Sequence, residues 1–309
     1  MKVVKRMLAV ALVLVLVFSL TGCTEFEAKM VKTVNKMKKV NNLRADVVFY
    51  LDLSVKMLGQ SLSDMEFGAE GTLDIDADHG TGFGKFHITS VEEEQDVLLY
   101  YEKADKVVRT WTSEDDGKTW KFSETPLDQE GAGSGGLDFG SLSDLDKDQI
   151  AQLRTIAATF EEDGVTEIRG SESTVYRGTV SLKDLPQGVD LTGSLGQMTE
   201  STGITLTPED IANIGDMPVA IAIDNSTGLI SGFALDMTDT LQGFTSIAMD
   251  AYMAQMLGEQ FEGLDLSKLG VTLHVDDCEL ECVMYDYDQV GNIVIPDNVR
   301  NNAVLADAA

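Results

Sequence analysis

The chain has 309 residues, with 52 Asp and Glu against 23 Lys and Arg, and a formal net charge of −29 at pH 7. An excess of negative charge on this scale excludes nucleic acid as a partner, because affinity for a phosphate backbone is built from clustered cations. The length is ample for burying a core, as one unit or two.

The N-terminus is the exception to the acidic rule. Lys2, Lys5 and Arg6 precede Met7 to Leu20, about 14 nearly all-apolar residues, which suits a signal-peptide core and falls short of the roughly 20 that a membrane-spanning helix needs. Leu20-Thr21-Gly22-Cys23 then resembles a bacterial lipobox, in which small residues admit the signal peptidase and the cysteine thiol receives a diacylglycerol. Residues 1–22 are therefore expected to be a lipoprotein signal peptide and Cys23 a lipidated first residue. Two or three acyl chains anchor stably where one would be marginal. The expected location is the extracytoplasmic face of the cell membrane. Losing Lys2, Lys5 and Arg6 leaves 20 basic residues against 52 acidic ones.

Residues 25 to 40 read as an amphipathic helix. Phe26, Met30, Val34 and Met37 recur at three- and four-residue steps, while Lys29, Lys32, Lys36 and Lys39 lie on another face. That lysine stripe either rests on anionic headgroups or is a solvated helix face, and the acidic body behind it favours the second.

Long alternating segments follow. Val47, Phe49, Leu51, Leu53 and Val55 share one face of a strand from Arg44 to Leu58. Further strands are expected over Met65 to Ile75, Phe83 to Val91, Asp96 to Glu102, Val107 to Thr112 and Thr119 to Ser123. Six successive strands with short turns make an antiparallel meander, with one face on a core and one in water. Ser113-Glu114-Asp115-Asp116-Gly117-Lys118-Thr119-Trp120 within it matches the Asp-box pattern of sialidases. A single copy without blade-length repeats predicts a hairpin device and no sialidase site.

Residues 128 to 143 carry Gly131, Gly133, Gly135, Gly136 and Gly140 among Ser, Asp and Ala, a loop composition. A helix is predicted from about Leu145 to Glu162, strands at Val165 to Arg169 and Ser173 to Lys183, and looser chain over Asp184 to Gly203. Thr207-Pro208-Glu209-Asp210 opens a short helix with Thr207 as N-cap. Met217 to Asp239 is a hairpin around Asp224-Asn225-Ser226-Thr227-Gly228. The helix from about Leu241 to Gln260 carries Phe244, Ile247, Ala248 and Ala251 on one side and Met249, Tyr252, Met253 and Met256 on another, so it should be covered on both. The chain closes with a strand over Val271 to Tyr287, bulged where the alternation changes phase at Asp276-Asp277, and another over Val290 to Pro296.

Cys278 and Cys282 alternate onto one strand face about 13 Å apart, beyond the roughly 7 Å that a disulfide spans, so they read as buried small hydrophobes. His79, His87 and His274 are the only histidines, and none sits in a metalloprotease, nucleophile-elbow or phosphate-loop pattern. Asp74, Asp76 and Asp78 alternate as calcium ligands would, but without an EF-hand's distal Glu they read as a solvated turn. No enzyme, metal or cofactor is expected.

The order of elements resembles the LolA-like lipoproteins of the LppX and LprG type. It is carried by the anchor, a helix, six strands, helices, Ile221 to Ile230 as a strand pair, and Tyr285-Asp286-Tyr287-Asp288 followed by Ile293-Val294-Ile295-Pro296. That resemblance implies one α+β domain over residues 23–309, a strongly curved antiparallel sheet forming an unclosed barrel with helices on its concave face. It implies an apolar cavity holding acyl chains, with Ile150, Leu153, Phe160, Phe244, Ile247, Met249, Tyr252, Met253 and Met256 as candidate lining. Family carriers are soluble shuttles, whereas a helix starting just after Cys23 is a short tether, so the implied function is local handling of a lipid or lipopeptide. The alternative is an anchored interaction or sensor module without a small ligand.

Overall fold

The computed structural model describes residues 25–57, 60–91, 93–104, 107–126, 156–181, 214–257 and 271–305. Helix α1 (Glu25–Met37) precedes six meandering strands: β1 (Asn42–Met57), β2 (Gln60–Asp76), β3 (Thr81–Thr89), β4 (Glu94–Ala104), β5 (Val107–Ser113) and β6 (Lys121–Pro126). Then come β7 (Glu161–Ile168), β8 (Ser171–Val180), β9 (Met217–Asp224), β10 (Ile230–Asp236), helix α2 (Thr238–Leu257), β11 (Val271–Tyr285), helix α3 (Asp297–Asn302) and β12 (Val304–Leu305). The twelve strands among the described residues join one sheet in the order β12-β6-β5-β4-β3-β2-β1-β11-β10-β9-β8-β7. Pairing is antiparallel except for β12 on β6, and β12 and β7 stand at opposite edges, so the strongly curved sheet stays open.

The alternation in β1 and β11 sorts their side chains as its period requires. Leu43, Ala45, Val47 and Phe49 of β1 face the core beside Leu280, Cys282 and Met284 of β11, while charged residues between them face out. Glycines on the inner face of the meander accommodate the curvature. A Cβ on Gly82 would lie 1.9 Å from the Tyr101 ring, and one on Gly71 would lie 2.7 Å from the Phe86 ring, so aromatic side chains of neighbouring strands fold over the bare backbone. At one end the sheet coils so far that the β7–β8 turn folds back over its outer surface. There Arg169 pairs with Asp46 of β1 and its guanidinium sits 3.6 Å over the Tyr285 ring.

Bulges fall where the side-chain phase changes. Asp52 pairs with Asp277 and Leu53 with Val275, leaving Asp276 as the extra residue expected. Its carboxylate accepts from the Ser54 hydroxyl and, at 3.3 Å, from Lys56. A second bulge in β2 turns out Leu62, which is 60% exposed.

Two expectations need correction. The helix predicted to run to Glu162 has ended by Ala157 among the described residues, and β7 already begins at Glu161. The segment Val290 to Pro296 is not a strand. It is extended chain whose contacts are side chains: the Ile293 N–H donates to the Asp76 carboxylate at 3.2 Å, and the Ile293 carbonyl accepts from Thr81 at 3.0 Å. From the end of this segment onward the chain crosses the outer face of β4 to β6. Ile295 and Val299 pack there on Trp111 and Trp120 as a second small core, and Arg300 clamps Glu102 through two hydrogen bonds of 2.9 and 2.7 Å.

The Asp-box pattern is the turn between β5 and β6. The Asp115 carboxylate accepts from the Ser113 hydroxyl and from the Thr119 N–H and hydroxyl. Gly117 has φ +81°, and Trp120 donates its indole N–H to the Gly117 carbonyl. The motif braces a hairpin under the second core.

Candidate functional site

The apolar concave face is the candidate site, and its two ends differ. At the end where β1 begins, α1 fills it. Phe26, Met30, Val34 and Met37, the apolar face read from the sequence, are between 0% and 6% exposed and belong to the main core with β1, β2 and β8 to β11. The Phe26 ring stacks on Phe160 and tilts against Tyr176. At the opposite end, α2 begins over β11 and is fixed by polar pins. The Thr238 hydroxyl accepts from the Cys278 N–H at 2.9 Å, and the Gln242 side-chain Oε1 accepts from the Val275 N–H at 2.8 Å. There Leu51, Leu53, Phe86, Ile88, Leu241 and Ile247 pack against the core yet remain only partly buried. At the α1 end the concave face is filled by the buried side of the helix, with Val40, Leu229 and Tyr287 partly buried at its margin, and at the α2 end partly buried apolar side chains form the rim.

Of the candidate lining residues, Phe160 and Phe244 are buried and Ile247 is half-buried on the rim. Phe160 and Ile247 meet the same core, Phe160 from the α1 side. Met249, Tyr252, Met253 and Met256 fall within α2, their side chains outside the described residues, as are Ile150 and Leu153 altogether. The sequence pattern missed that α1 itself occupies the concave face. Its periodicity marked the buried side and carried no signal for the partner.

The thiols of Cys278 and Cys282 are free and fully buried on this face, and burial pushes both up to about 12. They pack as hydrophobes. Asp74 is held by Arg44, and Asp76 turns inward to accept from the His79 and Ile293 N–H groups, so the alternating carboxylates are engaged in different directions. Among the described residues no group of three His, Cys, Asp or Glu side chains is placed to hold a metal ion.

No protein-family model matches the chain, and no curated protein does. Solved structures do. The lipoprotein LppX of Mycobacterium tuberculosis is similar at 10% identity, over 86% of this chain and 97% of LppX, with a TM-score of 0.36. LprF of Mycobacterium bovis is similar at 12% identity, over 89% of this chain and 99% of LprF, with a TM-score of 0.39.

A groove of about 360 Å³ opens on the other side of α1, lined by Ala28, Lys29, Lys32, Thr33, Lys36 and Gly228. It forms because Gly228, at φ +67°, brings the β9–β10 turn against the helix; a Cβ there would sit 2.5 Å from the Lys36 ammonium. The Lys36 ammonium donates to the Thr227 carbonyl at 2.5 Å, and the Lys29 ammonium lies 5.4 Å above the Tyr176 ring. Asp224 shapes the turn by accepting from the Ser226 and Thr227 N–H groups at 2.9 and 2.6 Å and from the Ser171 hydroxyl, hydrogen bonds that hold its carboxyl well below the usual range.

Proposed function

We propose that this protein is a membrane-anchored extracytoplasmic lipoprotein that holds the acyl part of a lipid or lipopeptide at the α2 end of its concave face. The observation that carries the reading is the asymmetry of that face. At one end α1 buries Phe26, Met30, Val34 and Met37 against the core, while at the other Leu51, Leu53, Phe86, Ile88, Leu241 and Ile247 form a partly buried apolar rim. Covering apolar surface with acyl chain is favourable by about 25 cal/mol per Å² removed from water. The rest of α2 supports the same reading, since the sequence from Met249 to Met256 supplies flexible thioethers that adapt to irregular apolar ligands. With Cys23 lipidated and Glu25 already in α1, the body would act beside its own membrane and not as a carrier.

The test is direct. Residues 24–309, secreted behind a cleavable signal without the lipobox, are purified, extracted with organic solvent and analysed by mass spectrometry. About one lipid per chain is the expected result. A chain that is folded and lipid-free, and that takes up no fluorescent fatty acid, overturns the reading in favour of an interaction module.

A further inference from the structure

We infer that the lysine groove of α1 seats on the anionic headgroups of the membrane that carries Cys23, holding the body with this helix downward and its acidic remainder turned away. The inference rests on the reading of Cys23 as the anchor and is independent of any acyl ligand. Burial of Phe26, Met30, Val34 and Met37 fixes the rotation of α1, so Lys29, Lys32 and Lys36 emerge together on one flank of the helix, Lys29 half-buried over the Tyr176 ring and Lys32 and Lys36 exposed. Along the helix, Lys29 and Lys36 stand about 10 Å apart at 1.5 Å per residue. Each is held, by Tyr176 and by Thr227 respectively, with exposed Lys32 between them. The Asp224 carboxylate next to the groove is directed into its own turn.

Charge complementarity selects the occupant. Five lysines, at 29, 32, 36, 38 and 39, lie in this segment, whereas the chain after position 40 carries 15 basic residues against 50 acidic ones. The acidic body is itself repelled by an anionic surface, so the lysine-bearing flank of α1 is the side on which it can be held there. The tether enforces proximity: the two steps from Cys23 to Glu25 extend at most about 7 Å, inside the Debye length of about 8 Å at physiological ionic strength.

The experiment uses the full lipidated protein in vesicles of phosphatidylcholine alone or mixed with phosphatidylglycerol, with lysine acetylation read by mass spectrometry. Flotation with neutral vesicles reports the anchor separately, and its absence refutes the Cys23 reading. On anionic vesicles, acetylation of Lys29, Lys32 and Lys36 is expected to fall about fivefold while Lys85 and Lys118 are unchanged. The protection should vanish at 1 M salt, where the Debye length is about 3 Å. In Lys32→Gln/Lys36→Gln, Lys29 should react equally on both vesicles, with flotation retained. Equal wild-type acetylation on the two vesicles overturns the inference, as does protection by inorganic phosphate on neutral vesicles, which would make the groove a small-anion site.

Discussion

The ring of Phe26 lies flat on that of Phe160, with centroids 4.8 Å apart and planes within 3° of parallel. This stack, with Tyr176 tilted against the same ring, ties the first helix to the chain that enters β7. The α1 helix is therefore part of the core and not an appendage between anchor and domain.

Phe26→Ala should cost about 3–5 kcal/mol, the range for deleting a buried phenylalanine, measured by urea unfolding. Phe26→Leu should recover a large part. A loss near zero would show that α1 does not contribute to the cooperative unit.

Gly82→Ala should be destabilising by about 1–3 kcal/mol, because the new methyl would overlap the Tyr101 ring. In a Tyr101→Ala background the same change should cost little. A double-mutant cycle with coupling above about 0.5 kcal/mol confirms the overlap, and additive losses contradict it.

Asp115 is held at about 2, chiefly by the Thr119 N–H and hydroxyl and the Ser113 hydroxyl. A carboxyl depressed in the folded state contributes stability that is complete above its ordinary value near 3.9 and is lost as pH falls through about 2. Asp115→Asn should therefore flatten the fall in stability between pH 4 and pH 2, seen as a smaller drop in Tm than in the parent over that window. Equal acid slopes for parent and variant would refute the assignment.

Cys278 and Cys282 should resist alkylation at neutral pH in the folded protein and react fully in denaturant, because burial holds both thiols up at about 12 and away from reagent. Cys282→Ser should cost about 1–3 kcal/mol by burying a hydroxyl without an assured partner. Rapid labelling of the native protein would contradict the described packing.

Where residues alternate, the fold could be read directly. The meander from β1 to β6, the hairpin of β9 and β10 and the bulge at Asp276 all follow from the period of apolar side chains and its change of phase. The apolar run of Val290, Ile293, Val294 and Ile295 misled, because a β-branched segment looks alike whether it joins a sheet or lies on one. Only Ile295 is buried while Val294 is 77% exposed, and the backbone partners are Asp76 and Thr81 side chains far away in sequence. At the site, periodicity showed which side of α1 is buried but not that it fills the concave face. The groove depends on Gly228 meeting Lys36, a contact across 192 positions that no local pattern encodes.

The centre of the sheet is made of β1 and β11, strands from opposite ends of the chain; the Tyr285 hydroxyl that donates to Asp46 comes from 239 residues away. The meander can register early, but the concave face that receives Met30 and Val34 includes Leu280, Cys282 and Met284. Pairings this distant in sequence are the slow part of folding, because loop closure must precede any reward. Until β11 pairs with β1 the core lacks Leu280, Cys282 and Met284, so nearly the whole polypeptide has to be present as an unlatched thread before its shape can set.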